Sequence, residues 1–166
     1  MEENGSQVEH IPVLADVLIE QISLPQDGVM VDGTIGQGGH AYLFGKKLTR
    51  DGLIIGLDVD QASIDTARSK LQGVDCKVIL LHENFSQIAR MLAEVEVEEV
   101  DFILADLGLC SAQLTDPDIG LSFRANMPLD MRIDKRLETT AADIVNRADE
   151  TSLADLIYEY GQDRAS

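Results

Sequence analysis

Four short apolar runs, each followed by a stretch of different character, constrain the fold of this chain more than any other feature. Residues 29–32, 53–58, 77–81 and 100–106 have the length and composition of buried strands. Between them, residues 39–48, 62–71 and 86–94 read as helices, with Gly45 weakening the first. Short continuous apolar strands alternating with amphipathic helices predict an α/β fold in which a parallel sheet is covered on both faces. Ahead of the first strand, Pro12 opens a helical pattern carrying Val13, Leu14, Val17, Leu18 and Ile22, which ends near Pro25.

Beyond Asp106 the pattern changes. Residues 108–136 hold no long periodic segment and read as an extended loop, of a length that in compact domains is usually functional or disordered. Thr139 or Thr140 then caps a helix running to Ala148. Thr151 or Ser152 caps another that carries Leu153, Leu156, Ile157 and Tyr160, with Gly161 as its stop.

Composition narrows the class. With 45% hydrophobic and 26% charged residues the chain is globular. Cys76 and Cys110 stand far apart, which fits neither a metal site nor a disulfide framework and points to a reducing cytoplasm. The acidic, polar N-terminus lacks a basic region followed by an apolar stretch, and no segment approaches a membrane span, so a soluble cytoplasmic protein is expected. The net charge of −17 by itself argues against a nucleic-acid partner.

The segment Val31-Asp32-Gly33-Thr34-Ile35-Gly36-Gln37-Gly38-Gly39-His40 lies where the first strand hands over to a helix. Glycines there let the backbone approach a ligand, and a helix N-terminus offers unsatisfied N–H groups. The run does not supply the G-x-G-x-x-G of dinucleotide-binding proteins, which counts against a nicotinamide-dependent oxidoreductase. Asp32 beside the turn suits a cationic ligand and would repel a pyrophosphate. Asp58 ends the second strand, twenty residues after Gly38, where an acid can accept both hydroxyls of a ribose. Asp60 reads as a helix cap. Phe85, after the third strand, either stacks on a base or fills the core. Asp106 ends the fourth strand, so three acids stand at three strand ends on one sheet edge, the edge at which open parallel sheets bind ligands. The plainer alternative is a structural turn with surface acids around it.

The blocks Asp106-Leu107-Gly108-Leu109-Cys110-Ser111-Ala112-Gln113-Leu114, Gly120-Leu121-Ser122-Phe123 and Pro128-Leu129-Asp130-Met131-Arg132 are more specific. With them the chain resembles the bacterial ribosomal RNA small-subunit cytosine-N4 methyltransferases of the MraW or RsmH type, from His10-Ile11-Pro12-Val13-Leu14 to Tyr160-Gly161. The resemblance implies a Rossmann-like, S-adenosylmethionine-dependent methyltransferase fold with an incomplete parallel sheet. Residues 1–112 would form the cofactor-binding part; residues 113–166 would form a substrate loop and the start of an inserted helical domain. Cofactor contacts implied for this chain are Gly38, Gly39, His40, Asp58, Phe85, Asp106 and Gln113, beside the Asp32 and Gly36 of the turn; as candidate catalytic groups, Asp106 either accepts from the cytosine amine or holds the methionine ammonium, with Ser111 and the carbonyls of residues 108–110 as further candidates. The implied substrate is a cytidine of 16S ribosomal RNA in the small subunit, with no metal and no membrane partner, and a homodimer is left open.

The chain departs from the family pattern at Cys110, where a serine is usual, at Ile119, where an arginine is usual, and at Asn126-Met127, where Asp-Gly is usual. Family members continue well past residue 166, so the chain is expected to be an N-terminal portion, inactive on RNA by itself. The implied reaction is an in-line displacement by the cytosine N4 nitrogen, which must be held at attack distance with its base splayed out of the RNA. Arg124, Arg132, Lys135 and Arg136 form a basic group in the loop and are candidate phosphate contacts, with a solvated loop of ordinary charges as an equal alternative.

Overall fold

The computed structural model describes residues 12–163; His10 and Ile11, where the resemblance begins, lie outside them. Two compact units are present, Met1–Leu107 and Gly108–Ser166. No helix among the described residues is long and apolar enough to cross a membrane.

The first unit is built on strands β1 (Val29–Asp32), β2 (Leu53–Asp58), β3 (Lys77–His82) and β4 (Phe102–Leu104), all parallel, in the order β3-β2-β1-β4. The two inner strands are sealed on both faces. Met30 and Ile54 point one way, into a core with Ile35, Ala41, Phe44, Ile64, Ala67 and Leu71. Val31, Ile55 and Leu57 point the other way, against Met91 with Ile88 and Leu92 around it. This period-two division between two apolar layers is why these strands read as unbroken apolar runs. Helices α1 (Ala15–Gln21), α2 (Gly39–Gly45) and α3 (Gln61–Lys70) contribute to the first layer, and α4 (Ile88–Glu94) to the second.

Several expected boundaries shift for identifiable reasons. The fourth strand covers three residues rather than 100–106. Its partner β1 ends at Asp32, and the final contact is Gly33 N–H donating to the Leu104 carbonyl at 2.8 Å, so Ala105 and Asp106 have no strand to pair with. Asp106 therefore stands in the loop two residues past β4. Helix α2 stops at Gly45, short of Leu48. Helix α1 starts only after Leu14, which adopts φ of 52°, and Val13, Leu14 and Val17 are exposed while Leu18, Ile19 and Ile22 pack on the core. Asp60 caps α3, accepting from the Ala62 N–H at 3.0 Å and the Ser63 hydroxyl at 2.8 Å.

In the second unit the expected unbroken loop contains a short helix, α5 (Ser111–Thr115). Helix α6 (Ala141–Arg147) is capped by Thr140 in a reciprocal arrangement with Asp143. Helix α7 (Glu150–Gly161) is capped by Asp149, not Thr151 or Ser152, because the Asp149 carboxylate reaches both the N–H and the hydroxyl of Ser152. Between α5 and α6 the chain folds back on itself. The Met131 N–H donates to Ile119, and the N–H groups of Ala141 and Ala142 donate to Asp130 and Leu129. Gly120 sits at φ of 73°, where a β-carbon would lie 1.9 Å from the Pro128 carbonyl oxygen. Replacing Gly120 with Ala should therefore lower stability by about 2 kcal/mol or more, read as an earlier urea midpoint, since left-handed strain adds to a backbone clash. An unchanged midpoint would show that this fold-back does not depend on Gly120.

Candidate functional site

The turn after β1 is held by its own amides. Thr34 donates to Asp32 Oδ1 at 3.1 Å, Gly36 to Asp58 Oδ2 at 2.8 Å. Ile35 donates to the Leu57 carbonyl at 2.9 Å and Gly38 to the Ile35 carbonyl at 2.8 Å. Gly36 and Gly38 occupy the left-handed region, at φ of 47° and 78°. A side chain on Gly38 would press on Ala67, whereas one on Gly36 would meet only the Thr34 carbonyl oxygen, at 3.8 Å. Gly36 is thus where the bare backbone leaves room for a ligand. The amides of Gly33, Thr34, Ile35, Gly36 and Gly38 are committed within the protein, whereas the first turn of α2 receives no side-chain cap from Gly38.

What the edge presents is carboxylates. Asp32, the last residue of β1, is 1% exposed. Burial pushes its carboxyl up to about 7; the Thr34 N–H opposes the shift, and the negative charges of Asp58 and Asp106 add to it. The three acids therefore share one local field. Asp58 accepts from Gly36 through one oxygen and from the Asp60 N–H, at 2.9 Å, through the other, leaving a lone pair on each. Asp106 is fixed from an unexpected direction, its N–H donating to Thr34 Oγ1 at 2.7 Å. Its half-exposed carboxylate lies 3.9 Å from Nε2 of His40, a buried residue in the first turn of α2. Gly39, just before it, lies against Pro12, where a β-carbon would sit 2.5 Å from the ring.

Phe85 is not a core residue. It is 44% exposed, in a short 3-10 turn (Phe85–Gln87) ahead of α4. Its β-carbon would lie 3.2 Å from one built on Gly33, so the ring emerges beside the glycine turn. The structure thus gathers Asp32, Gly36, Gly38, Gly39, His40, Asp58, Phe85 and Asp106 around one end of the sheet. The strand order reverses there, since β2 and β4 flank β1 on opposite sides. Thr34 and Gly33 complete this group and were missed. Nothing in the local pattern around Thr34 announces that its hydroxyl anchors Asp106.

Ser111 and Gln113 belong to the second unit. Ser111 is the exposed first residue of α5, and Gln113 Oε1 accepts from the Cys110 N–H at 3.0 Å, capping that helix. The four basic loop residues separate into two kinds. Arg132 grips Asp130 through Nε at 2.6 Å and Nη2 at 2.9 Å, Lys135 reaches the same carboxylate at 3.1 Å, and Arg136 pairs with Asp134 at 2.8 Å. The Arg132 guanidinium, followed by Lys135, holds the Asp130 carboxyl well below the usual carboxylate range. These three cations are structural ties, which corrects the reading of the whole group as phosphate contacts. Among the described residues Arg124 has no carboxylate partner.

Arrangement and chemistry together define a Rossmann-like α/β fold whose sheet edge carries three neighbouring carboxylates beside a glycine turn. Sequence comparison narrows this further: the chain belongs to the MraW methylase family, whose profile matches residues 7–166. A protein of Clostridioides difficile (strain 630) is 41% identical over 157 residues, 95% of this chain and 50% of its own length. One of Citrifermentans bemidjiense is 43% identical over 155 residues, 93% and 50% respectively, and one of Solibacter usitatus is 41% identical over 155 residues, 93% and 54%. Each is named ribosomal RNA small subunit methyltransferase H. The chain spans about half the length of the curated relatives it matches.

The Asp32 shift has a consequence for stability. A carboxyl whose folded pKa of about 7 exceeds its ordinary value of 3.8 favours the folded state fully below pH 3.8, and that contribution is lost as pH rises through 7. Asp32→Asn keeps an acceptor for the Thr34 N–H and removes the charge. At pH 8 the variant should be more stable than the parent, by on the order of 2 kcal/mol, with the difference vanishing toward pH 4. Urea unfolding across that range measures it, and parallel curves for the two proteins would contradict the assignment.

Proposed function

We propose that this chain is the donor-binding half of an enzyme that uses S-adenosylmethionine to methylate the exocyclic amine of a cytidine in small-subunit ribosomal RNA. The observation that carries the reading is the buried Asp32 with Asp58 and Asp106 beside it, paired with no Lys or Arg among the described residues. Such a cluster favours a ligand carrying positive charge and disfavours a pyrophosphate. That charge balance separates this reading from a nicotinamide-dependent oxidoreductase.

When bound, S-adenosylmethionine supplies an electrophilic methyl group on a sulfonium. In this reading the remaining lone pairs of Asp58 accept the ribose hydroxyls, and Phe85 offers a face to the adenine. Asp32, ionised by the approach of a cation, supplies compensating charge at the glycine turn, where Gly36 leaves the backbone open. The Asp106 carboxylate, aimed by the Thr34 hydroxyl, accepts a hydrogen bond from the ligand's ammonium or from the cytosine amine. Accepting from the amine would orient that poor nucleophile and draw off its proton as the new bond forms. Ser111 and Gln113 enter through the family resemblance, as a further hydrogen-bonding group at the base and a cofactor contact. Because the chain spans half of its relatives, a second reading is retained, in which it binds the donor without turning over.

Isothermal calorimetry on the 166-residue chain tests the donor reading. S-adenosylmethionine should bind and NAD should not, and Asp58→Ala should weaken binding by about thirtyfold, as expected for losing charge-assisted hydrogen bonds to a diol. Binding should tighten and release a proton as pH rises from 6 toward 8, because the cation favours ionised Asp32 with its starting pKa near 7; Asp32→Asn should flatten that dependence. Failure to bind the donor while remaining folded would refute the reading. N4-methylcytidine in small-subunit RNA, measured by mass spectrometry after incubation with chain and donor, would select the enzymatic reading over the binding-only one.

A further inference from the structure

Phe123 is 99% exposed, the extreme among the large apolar side chains of this structure. A phenylalanine fully in water is unfavourable by the free energy its burial would recover, so its position asks for an occupant. Its surroundings say which kind. Arg124, next in the chain, has no carboxylate partner, whereas Arg132, Lys135, Arg136 and Arg147, the other described Lys and Arg residues of the second unit, are all ion-paired. Exposed Asn126 and half-buried Ser122 flank the pair, and the Ser122 hydroxyl takes the Arg124 N–H at 3.2 Å.

An apolar protein partner would have to bury the unpaired guanidinium of Arg124 beside the ring, at the cost of desolvating its charge. A bare aromatic face next to an unneutralised guanidinium suits an unstacked base with its phosphate. The segment is held from both sides: Gly120 fixes one end against Pro128, and the Asp130–Arg132–Lys135 ion pairs fix the other. The ring is thus carried on a braced turn rather than on a tail.

We propose that Phe123 and Arg124 form a single-stranded RNA contact, Phe123 stacking on an unpaired base and Arg124 meeting the adjoining phosphate. This rests on the RNA reading given above and adds to it the residues that engage the strand outside the donor site.

The test uses the 166-residue chain and a fluorescein-labelled single-stranded oligocytidylate, followed by anisotropy. Phe123→Ala should weaken binding about tenfold or more, the usual scale for losing one base–aromatic stack, with thermal unfolding unchanged because the ring packs on nothing. Arg124→Ala should reduce the salt dependence of binding by about one phosphate. The chain contains no tryptophan, so Phe123→Trp introduces a single indole that should retain affinity and be quenched by the RNA. Wild-type affinity in Phe123→Ala, or an unquenched indole with RNA bound, overturns the stacking contact while leaving the RNA reading intact. A parent chain that binds S-adenosylmethionine but no RNA overturns both the contact and the RNA reading, and leaves the donor site standing.

Discussion

The amides of the β1–α2 turn are tied to the ends of the neighbouring strands, and the rest of the site follows from that. Gly33 donates to Leu104 at the end of β4, Ile35 to Leu57 and Gly36 to Asp58 at the end of β2. The Thr34 hydroxyl completes the stitching by accepting from Asp106. Together these bonds draw the ends of β2, β1 and β4 against one turn; β1 and β2 end on Asp32 and Asp58, and Asp106 follows β4 by two residues. Convergence of like charge is unfavourable without a counter-charge: the carboxyl of Asp32 is raised first by its burial, and the charges of Asp58 and Asp106 add to that. A site holding that much electrostatic strain in the free protein, released by a cation, has its ligand preference written into the backbone.

A second ionic arrangement organises the other unit by the opposite logic. Asp130 lies between two cations, and its main chain accepts the first amide of α6. Its neighbour Met131 is forced to φ of 63° while donating to Ile119. Non-glycine residues hold that conformation only where their surroundings over-determine it. The Pro-Leu-Asp-Met-Arg string is therefore legible as architecture: a buckle that closes the loop onto α6. Ile119, one of the departures from the family pattern, is buried within it, so an apolar side chain there is consistent with packing in place of a charge.

The parallel sheet was legible from the residues because β1 and β2 must be apolar on both faces, and no helix gives that pattern at such short length. The strand-end acids were legible for a related reason, since a charge at the end of an apolar run must lie at the sheet edge. Caps and strand ends were less so. Asp149, Thr151 and Ser152 are all competent caps, and only the backbone geometry selects Asp149. Similarly, β4 stops at Leu104 because its neighbour turns away, a fact external to β4 itself. The roles of the loop cations depended wholly on tertiary partners. Four basic residues look alike in a string of letters, yet ion pairs remove three of them from contention.

That sorting bears on the net charge of −17, which at first argues against RNA. Long-range repulsion depends on the sum of charges and is screened within about 10 Å at moderate salt. Contact depends on which cations are already neutralised within the protein. At the sheet edge Asp32, Asp58 and Asp106 face no Lys or Arg among the described residues, and the proposed cationic donor would answer them. In the loop, Asp130 and Asp134 answer Arg132, Lys135 and Arg136 locally, so those five residues nearly cancel in the field at short range. Under the proposal an approaching strand meets Arg124 beside a bare aromatic ring, where short-range stacking and one phosphate contact operate. An acidic total and a nucleic-acid contact are compatible when a cation at the contact is left unneutralised within the protein.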